Sequence, residues 1–237
     1  MTALRSLVFF VWFYLTSTIL AVLYSVTLVL PRRAILVAIR FWSNVVMFGL
    51  RWIAGVRVEV RGLEHAPKGA ALIAAKHQGM LDTIAPFAFL PDPTYVLKQE
   101  LMRVPFFGWH ATHARMIPID RSAHAKALKA LVAAARDRVK EPRQVIIFPE
   151  GTRKAPGAPP DYKPGVAALY RDLGLPCTPM ATNSGAHWSA NGLQSHPGVV
   201  VFEFLPAIPA GLKRADFMRE LESRIETASN DLLAEGL

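Results

Sequence analysis

Apolar residues fall along this chain in three rhythms. From residue 7 to 30 they run without a charge (LVFFVWFYLTSTILAVLYSVTLVL) and stop at Pro31-Arg32-Arg33. As a helix rising about 1.5 Å per residue, this run spans about 36 Å, enough to cross a bilayer core of about 30 Å. From 34 to 56 the apolar run is interrupted by Arg40, Asn44 and Arg51. That pattern suits a helix lying partly in a membrane interface, its basic side chains snorkelling toward water. Thereafter short apolar runs of strand length alternate with longer amphipathic ones. Strands are expected at 56–61, 70–75, 94–98, 116–119, 144–148, 177–180 and 199–205, and helices at 82–90, 122–140, 165–173 and about 213–233.

This alternation predicts an α/β fold, a mixed or largely parallel sheet covered by helices, with an N-terminal two-helix membrane-anchoring segment. Residues 1–55 are expected as the anchoring helices and 56–237 as one catalytic domain. The Pro/Gly-rich stretch 154–164 reads as a loop within it, and no internal repeat divides the chain. An apolar share of 52% against 19% charged residues is high for a freely soluble protein. The first apolar run exceeds the roughly 7 to 15 residues of a secretory signal, and no small-residue cleavage site precedes the arginines, so retention is expected.

Chemistry concentrates where strands end. Lys76-His77-Gln78-Gly79-Met80-Leu81-Asp82 follows the run 70–75. On a continuous helix two residues five apart point about 140° away from each other, so His77 and Asp82 can meet only across a turn, for which Gly79 is suited. A carboxylate at one ring nitrogen fixes the tautomer and raises the basicity of the other. Taken alone, the pair reads more readily as a helix cap beside a polar turn. A second polar block, Phe148-Pro149-Glu150-Gly151-Thr152-Arg153, closes the run 144–148, and in α/β sheets ligands collect at the carboxyl ends of strands. Two such ends suggest a shared crevice.

In these blocks the chain resembles the glycerophospholipid acyltransferase family, specifically the lysophosphatidate acyltransferases. His77 to Asp82 matches the family's H-x-x-x-x-D block, and Met116-Ile-Pro-Ile-Asp-Arg121 is similar to its second block. Phe148 to Arg153 reproduces F-P-E-G-T-R, and Pro176-Cys-Thr-Pro-Met180 resembles the fourth block. The likeness covers about residues 55 to 205, with Gly79, Pro118 and Lys154 as departures. It implies transfer of a fatty acyl group from acyl-CoA or acyl-carrier protein to the sn-2 hydroxyl of lysophosphatidate. His77 would then be the base and Asp82 its orienting carboxylate. Arg121 and Arg153, with Lys98 as a third cation, would hold the acceptor phosphate. Glu150 would bind the glycerol or brace Arg153, Gly151 would let ligand approach the backbone, and Thr152 is either structural or a further contact. Other acceptors keep the same chemistry: lyso-ornithine lipid, another lysophospholipid, or glycerol 3-phosphate. A thioesterase or a catalytically silent lipid-binding protein are the remaining readings.

No covalent acyl-enzyme is expected, since no G-x-S-x-G elbow is present. Neither is a cofactor or a metal. The single Cys177 excludes a cysteine-based zinc site and an internal disulfide. His110 and His113 share helical spacing but lack an accompanying carboxylate or cysteine cluster, which favours structural roles. Trp188 reads as a core or interfacial aromatic. Net charge is +9, with Arg32, Arg33, Arg40, Arg51, Arg57 and Arg61 around the membrane segments, where anionic lipid headgroups attract them. Nucleic acid is not an expected partner, because no recognition signature accompanies the charge. If the first segment spans, the arginines after it keep the rest of the chain in the cytoplasm. The resemblance implies instead a hairpin embedded in one leaflet. Both place the site at the cytoplasmic face of the inner membrane.

Overall fold

The computed structural model describes residues 2–120, 124–190 and 193–236. Two N-terminal helices, α1 (Thr2–Leu23) and α2 (Arg32–Gly49), are joined by a tighter helical stretch, Tyr24–Val29. The chain then enters β1 (Val56–Arg61), β2 (Ala71–Ala75), the short α3 (Pro86–Phe89), β3 (Pro93–Lys98), α4 (Phe107–His113) and β4 (Ile117–Ile119). It continues through α5 (His124–Arg138), β5 (Gln144–Ile147), α6 (Gly165–Leu173), β6 (Cys177–Thr182), α7 (Ser184–His187), β7 (Gly198–Phe204) and α8 (Arg214–Glu235).

The strands form one seven-stranded sheet in the order β1-β7-β6-β2-β5-β3-β4. Strands β6, β2, β5, β3 and β4 are mutually parallel, while β7 pairs antiparallel with β6 and parallel with β1. Helices cover both faces, which is why central β2 and β5 are buried at every position and read as apolar runs after Gln144 at the start of β5. Side chains alternate between the two layers. Ile73, Ala75, Ile146 and Phe148 pack with Phe9, Phe13, Ile35, Val46 and Leu50 of the N-terminal helices. Leu72, Ala74, Val145 and Ile147 face α5, α6 and α8 through Leu131, Leu169, Phe217 and Leu221. The expected fold class is the one observed. Pro118, which cannot donate to a ladder, lies on β4 at the sheet edge, where only β3 pairs with it.

Two expectations change. The helix expected over 82–90 is a one-turn 3-10 segment, Leu81–Thr83, followed by α3. Pro86 has no N–H to continue the ladder and takes the first helical position instead. Nor do all the early arginines reach for lipid. Arg40 donates to the carbonyls of Phe87 (3.1 Å), Leu90 (2.8 Å) and Pro91 (3.0 Å), closing the C-terminal end of α3. Arg32 grips both oxygens of Asp92, at 2.9 and 2.6 Å, and Glu141 at 3.0 Å. Arg61 pairs with Glu235. Arg32 and Arg40 of α2 turn inward to carboxylates and carbonyls that accept their hydrogen bonds, while Arg33 is exposed.

Helix α1 touches the rest of the chain along its length. Arg5 donates to Ile53 O at 2.8 Å, Ser6 exchanges hydrogen bonds with Ser195, and Phe9 and Phe13 pack edge-on against Trp188. At the far end His110 Nε2 lies 2.9 Å from Ala21 O, and His113 Nε2 lies 2.9 Å from Leu30 O. The outward face of the hairpin stays apolar and exposed, with Leu7, Val11, Leu15, Ile19, Val22 and Val26 among its residues.

Candidate active site

Parallel strands aligned side by side bring their carboxyl ends to one edge. There β2 delivers Lys76 and His77, while its neighbour β5 delivers Phe148 and Glu150. Strand alternation decides what each side chain meets. His77 continues the Ile73–Ala75 face toward the N-terminal helices, and its ring stacks on Phe148, centroids 3.9 Å apart and planes 16° from parallel. Lys76 continues the opposite face.

After His77 the chain folds back within five residues. Asp82 sits in the 3-10 turn, and its Oδ2 accepts the backbone N–H groups of Gln78 (2.7 Å) and Gly79 (2.8 Å). The same oxygen lies 3.0 Å from His77 Nδ1. A carboxylate only accepts, so the imidazole proton belongs on Nδ1 and Nε2 carries the lone pair. Nε2 has no hydrogen-bond partner among the described residues. Asp82 is fully buried, and its second oxygen, Oδ1, has no partner at all among them. Behind it the Tyr95 hydroxyl donates to the Asp82 carbonyl at 3.3 Å. Burial, followed by the charge of Asp82, pushes the Tyr95 phenol well up and keeps it neutral.

Gly79 is required by space. A Cβ there would stand 2.7 Å from Trp188 O, and 3.5 Å from the buried, unpartnered Ser184 Oγ. The turn is locked from the same side by Gln78, whose Oε1 accepts the Gly185 N–H at 3.1 Å.

Of the block 148–153, Gly151 adopts φ +67, a left-handed turn open to glycine, and its N–H closes on Phe148 O at 2.9 Å. Thr152 and Arg153 are exposed, and Arg153 donates to Ala190 O at 2.7 Å. The chain returns to the dyad through Lys154, whose N–H donates to His77 O at 2.8 Å. Glu150 is buried and pairs with Lys76 Nζ at 3.0 Å, not with Arg153. Lys76 also holds both oxygens of Glu226 at 2.8 Å, and the Tyr162 hydroxyl donates to Glu226 at 3.0 Å. Burial pushes the Glu150 carboxyl up against the opposing pull of Lys76. Lys98 is exposed at the end of β3, two strands across from His77, about 10 Å along the sheet. It is in register with Ile119 of β4, and Arg121, two positions further, lies outside the described residues.

Sequence reasoning missed Lys76, Gln78, Tyr95 and Glu226. Lys76 could have been found, since a lysine continuing an otherwise apolar buried strand needs a counter-charge. Glu226, 150 residues away on α8, gives no local signal. His110 and His113 bond carbonyls of the N-terminal hairpin, and Trp188 is a buried core residue.

A buried carboxylate thus holds a histidine at the carboxyl ends of the parallel strands. The acyltransferase family model matches residues 57–183. A 1-acyl-sn-glycerol-3-phosphate acyltransferase of Pseudomonas aeruginosa is 34% identical over 235 residues, covering 98% of this chain and 91% of its own. The protein of that name from Escherichia coli is 28% identical over 192 residues, 80% of this chain and 78% of its own. In fold, the crystal structure of the 1-acyl-sn-glycerophosphate acyltransferase of Thermotoga maritima superposes with a TM-score of 0.83 at 20% identity, covering 99% of this chain and 98% of that one. This chain belongs to the acyltransferase family. It is an O-acyltransferase.

Proposed function

We propose that the protein transfers a fatty acyl group from acyl-CoA or acyl-carrier protein to the sn-2 hydroxyl of lysophosphatidate, giving phosphatidate. The observation that carries the reading is the 3.0 Å contact between His77 Nδ1 and Asp82 Oδ2, which leaves Nε2 as a base at the open edge of the sheet. Nε2 takes the hydroxyl proton as the oxygen attacks the thioester carbonyl. Asp82 stabilises the imidazolium that forms, and the tetrahedral adduct collapses with loss of the thiolate, which recovers the proton. The relatives' names support the acceptor. Lys98, Arg121 and Arg153 are assigned to its phosphate, with Gly151 and Thr152 shaping the approach. Glu150 serves by holding the turn through Lys76.

The membrane seat is part of the proposal. An N-terminal segment tied to the rest of the chain at Ser6, Phe13, Ala21 and Leu30 lies along the domain. This supports a hairpin embedded in the cytoplasmic leaflet of the inner membrane, among anionic lipids, over a segment that crosses it. Thiol release from acyl-CoA, measured with and without lysophosphatidate, tests the reaction. Acceptor-dependent release, lost in His77→Ala without loss of membrane attachment, is expected. Release without acceptor would make the protein a thioesterase, and no release under any lipid condition a silent lipid-binding protein. Preference for lyso-ornithine lipid would change the acceptor and keep the chemistry.

A further inference from the structure

From the end of β3 into the first turn of α4 the chain shows a second apolar surface outside the N-terminal hairpin. Leu101, Val104, Phe107 and Trp109 are 40%, 46%, 47% and 53% exposed within nine residues. Singly exposed apolar side chains need no explanation, but this group is built. Phe106 stands at φ +61, ψ −56, and the Phe107 N–H donates to Pro105 O at 2.7 Å. That is a positive-φ γ-turn, a rare and strained conformation for a residue with a side chain. Gly108 closes the base, since a Cβ there would lie 2.0 Å from Met102 O, and Met102 itself packs into the main core. The segment is a fixed knob whose rigid base presents a greasy rim.

Its position selects the occupant. His110 and His113 fasten α4 to the carbonyls of Ala21 and Leu30, so Trp109 stands beside the apolar hairpin. The patch therefore continues the surface already assigned to lipid. Exposed Arg103 lies within the rim, a cation suited to anionic headgroups. A tryptophan near a basic side chain is the composition of a bilayer interface.

We propose that residues 101–109 form a third membrane-contacting element, inserting Leu101, Val104, Phe107 and Trp109 into an anionic leaflet beside the carboxyl end of β3. The proposal rests on the in-leaflet seating of the hairpin. It gives the strand edge bearing His77 contact with lipid from two directions, so an acceptor can reach the site without leaving the bilayer.

The test uses the full-length protein in nanodiscs of phosphatidylethanolamine and phosphatidylglycerol, with Val104→Cys carrying an environment-sensitive maleimide dye. Cys177 stays unlabelled, being fully buried with its thiol pushed up to about 12. Quenching of the dye by lipids brominated on the acyl chain, with shielding from aqueous iodide, is expected. Quenching by iodide and not by bromolipid overturns the proposal, whether the patch faces water or is reserved for a protein. A second arm compares Val104→Asp/Trp109→Asp with wild type. Its kcat/KM for long-chain lysophosphatidate in bilayers should fall at least 10-fold, while that for a short-chain, water-soluble lysophosphatidate stays within two-fold. Equal loss on both acceptors also overturns the proposal. Wild type inactive on both would sink the acceptor assignment alone, since the quenching arm still decides the contact.

Discussion

Replacing Asp82 by asparagine separates two jobs that a carboxylate beside a histidine usually performs together. Oδ2 accepts three hydrogen bonds, two of them from the backbone of Gln78 and Gly79. An asparagine NH₂ in that place would point its hydrogens at two N–H donors, so the amide oxygen must take the Oδ2 position. His77 then keeps its proton on Nδ1 and its lone pair on Nε2. The NH₂ goes where Oδ1 now lies, already a site without a partner, so folding stability should change by no more than about 1–3 kcal/mol. What disappears is the negative charge. At a charge separation of about 4 Å and an effective dielectric of about 20, its attraction for the imidazolium is about 4 kcal/mol. Asp82→Asn should therefore lower kcat/KM about 10³-fold. Steady-state rates give the loss, thermal unfolding checks the fold, and ¹⁵N NMR of the labelled imidazole reports the tautomer. Retention of more than a tenth of wild-type kcat/KM, or a proton found on Nε2, would refute the reasoning.

Lys76→Met should destabilise the protein by about 3–5 kcal/mol, because buried Glu150 and half-buried Glu226 would be left facing each other without their shared cation. Chemical denaturation would read this, and a loss under 1 kcal/mol would contradict it. Glu150→Gln should be far milder, since Lys76 keeps Glu226. Its difference from wild type should also depend on pH: burial raises the folded carboxyl above its unfolded value, so Glu150's contribution is fully present below the unfolded pKa and is lost as pH rises through the folded one. Wild type should thus gain on the variant as pH falls, and a pH-independent gap would count against it. Arg153→Ala should raise KM for the acceptor more than for the thioester, and equal weakening of both would remove Arg153 from the phosphate site.

The sheet was legible because each strand carries its own signal. β2 is apolar throughout, β5 is apolar after Gln144, and β1 alternates, so the periodicity places all three within a residue. The turn at the end of β2 was legible for a geometric reason, since residues five apart on a helix could not have brought His77 to Asp82. What escaped detection rests on partners far away in sequence. Arg40 and Arg32 look lipid-facing when read locally, and only the folded chain brings the carbonyls of 87–91 and the carboxylates of Asp92 and Glu141 to them. Helix α4 was missed because its start depends on a positive φ at Phe106, a conformation no propensity favours. Glu150 was assigned from its block, and Lys76, its partner, comes from the neighbouring strand.

The N-terminal helices were read as an anchor, yet their inward face is core. Phe9, Phe13, Ile35, Val46 and Leu50 share one buried cluster with Ile73, Ala75, Phe148 and Trp188. Trp188 joins the hairpin to the His77–Asp82 turn. Its ring receives Phe9 and Phe13 of α1, while its carbonyl stands against Gly79 in the turn that holds Asp82 under His77. A change in how α1 sits therefore reaches the dyad through one residue, and the restriction at Gly79 follows from that contact, since any side chain there would displace Trp188 from its place under the helix. The same packing that seats the hairpin on the domain holds the turn that sets Asp82 against His77, so the proposed anchor and the proposed base draw on one set of contacts.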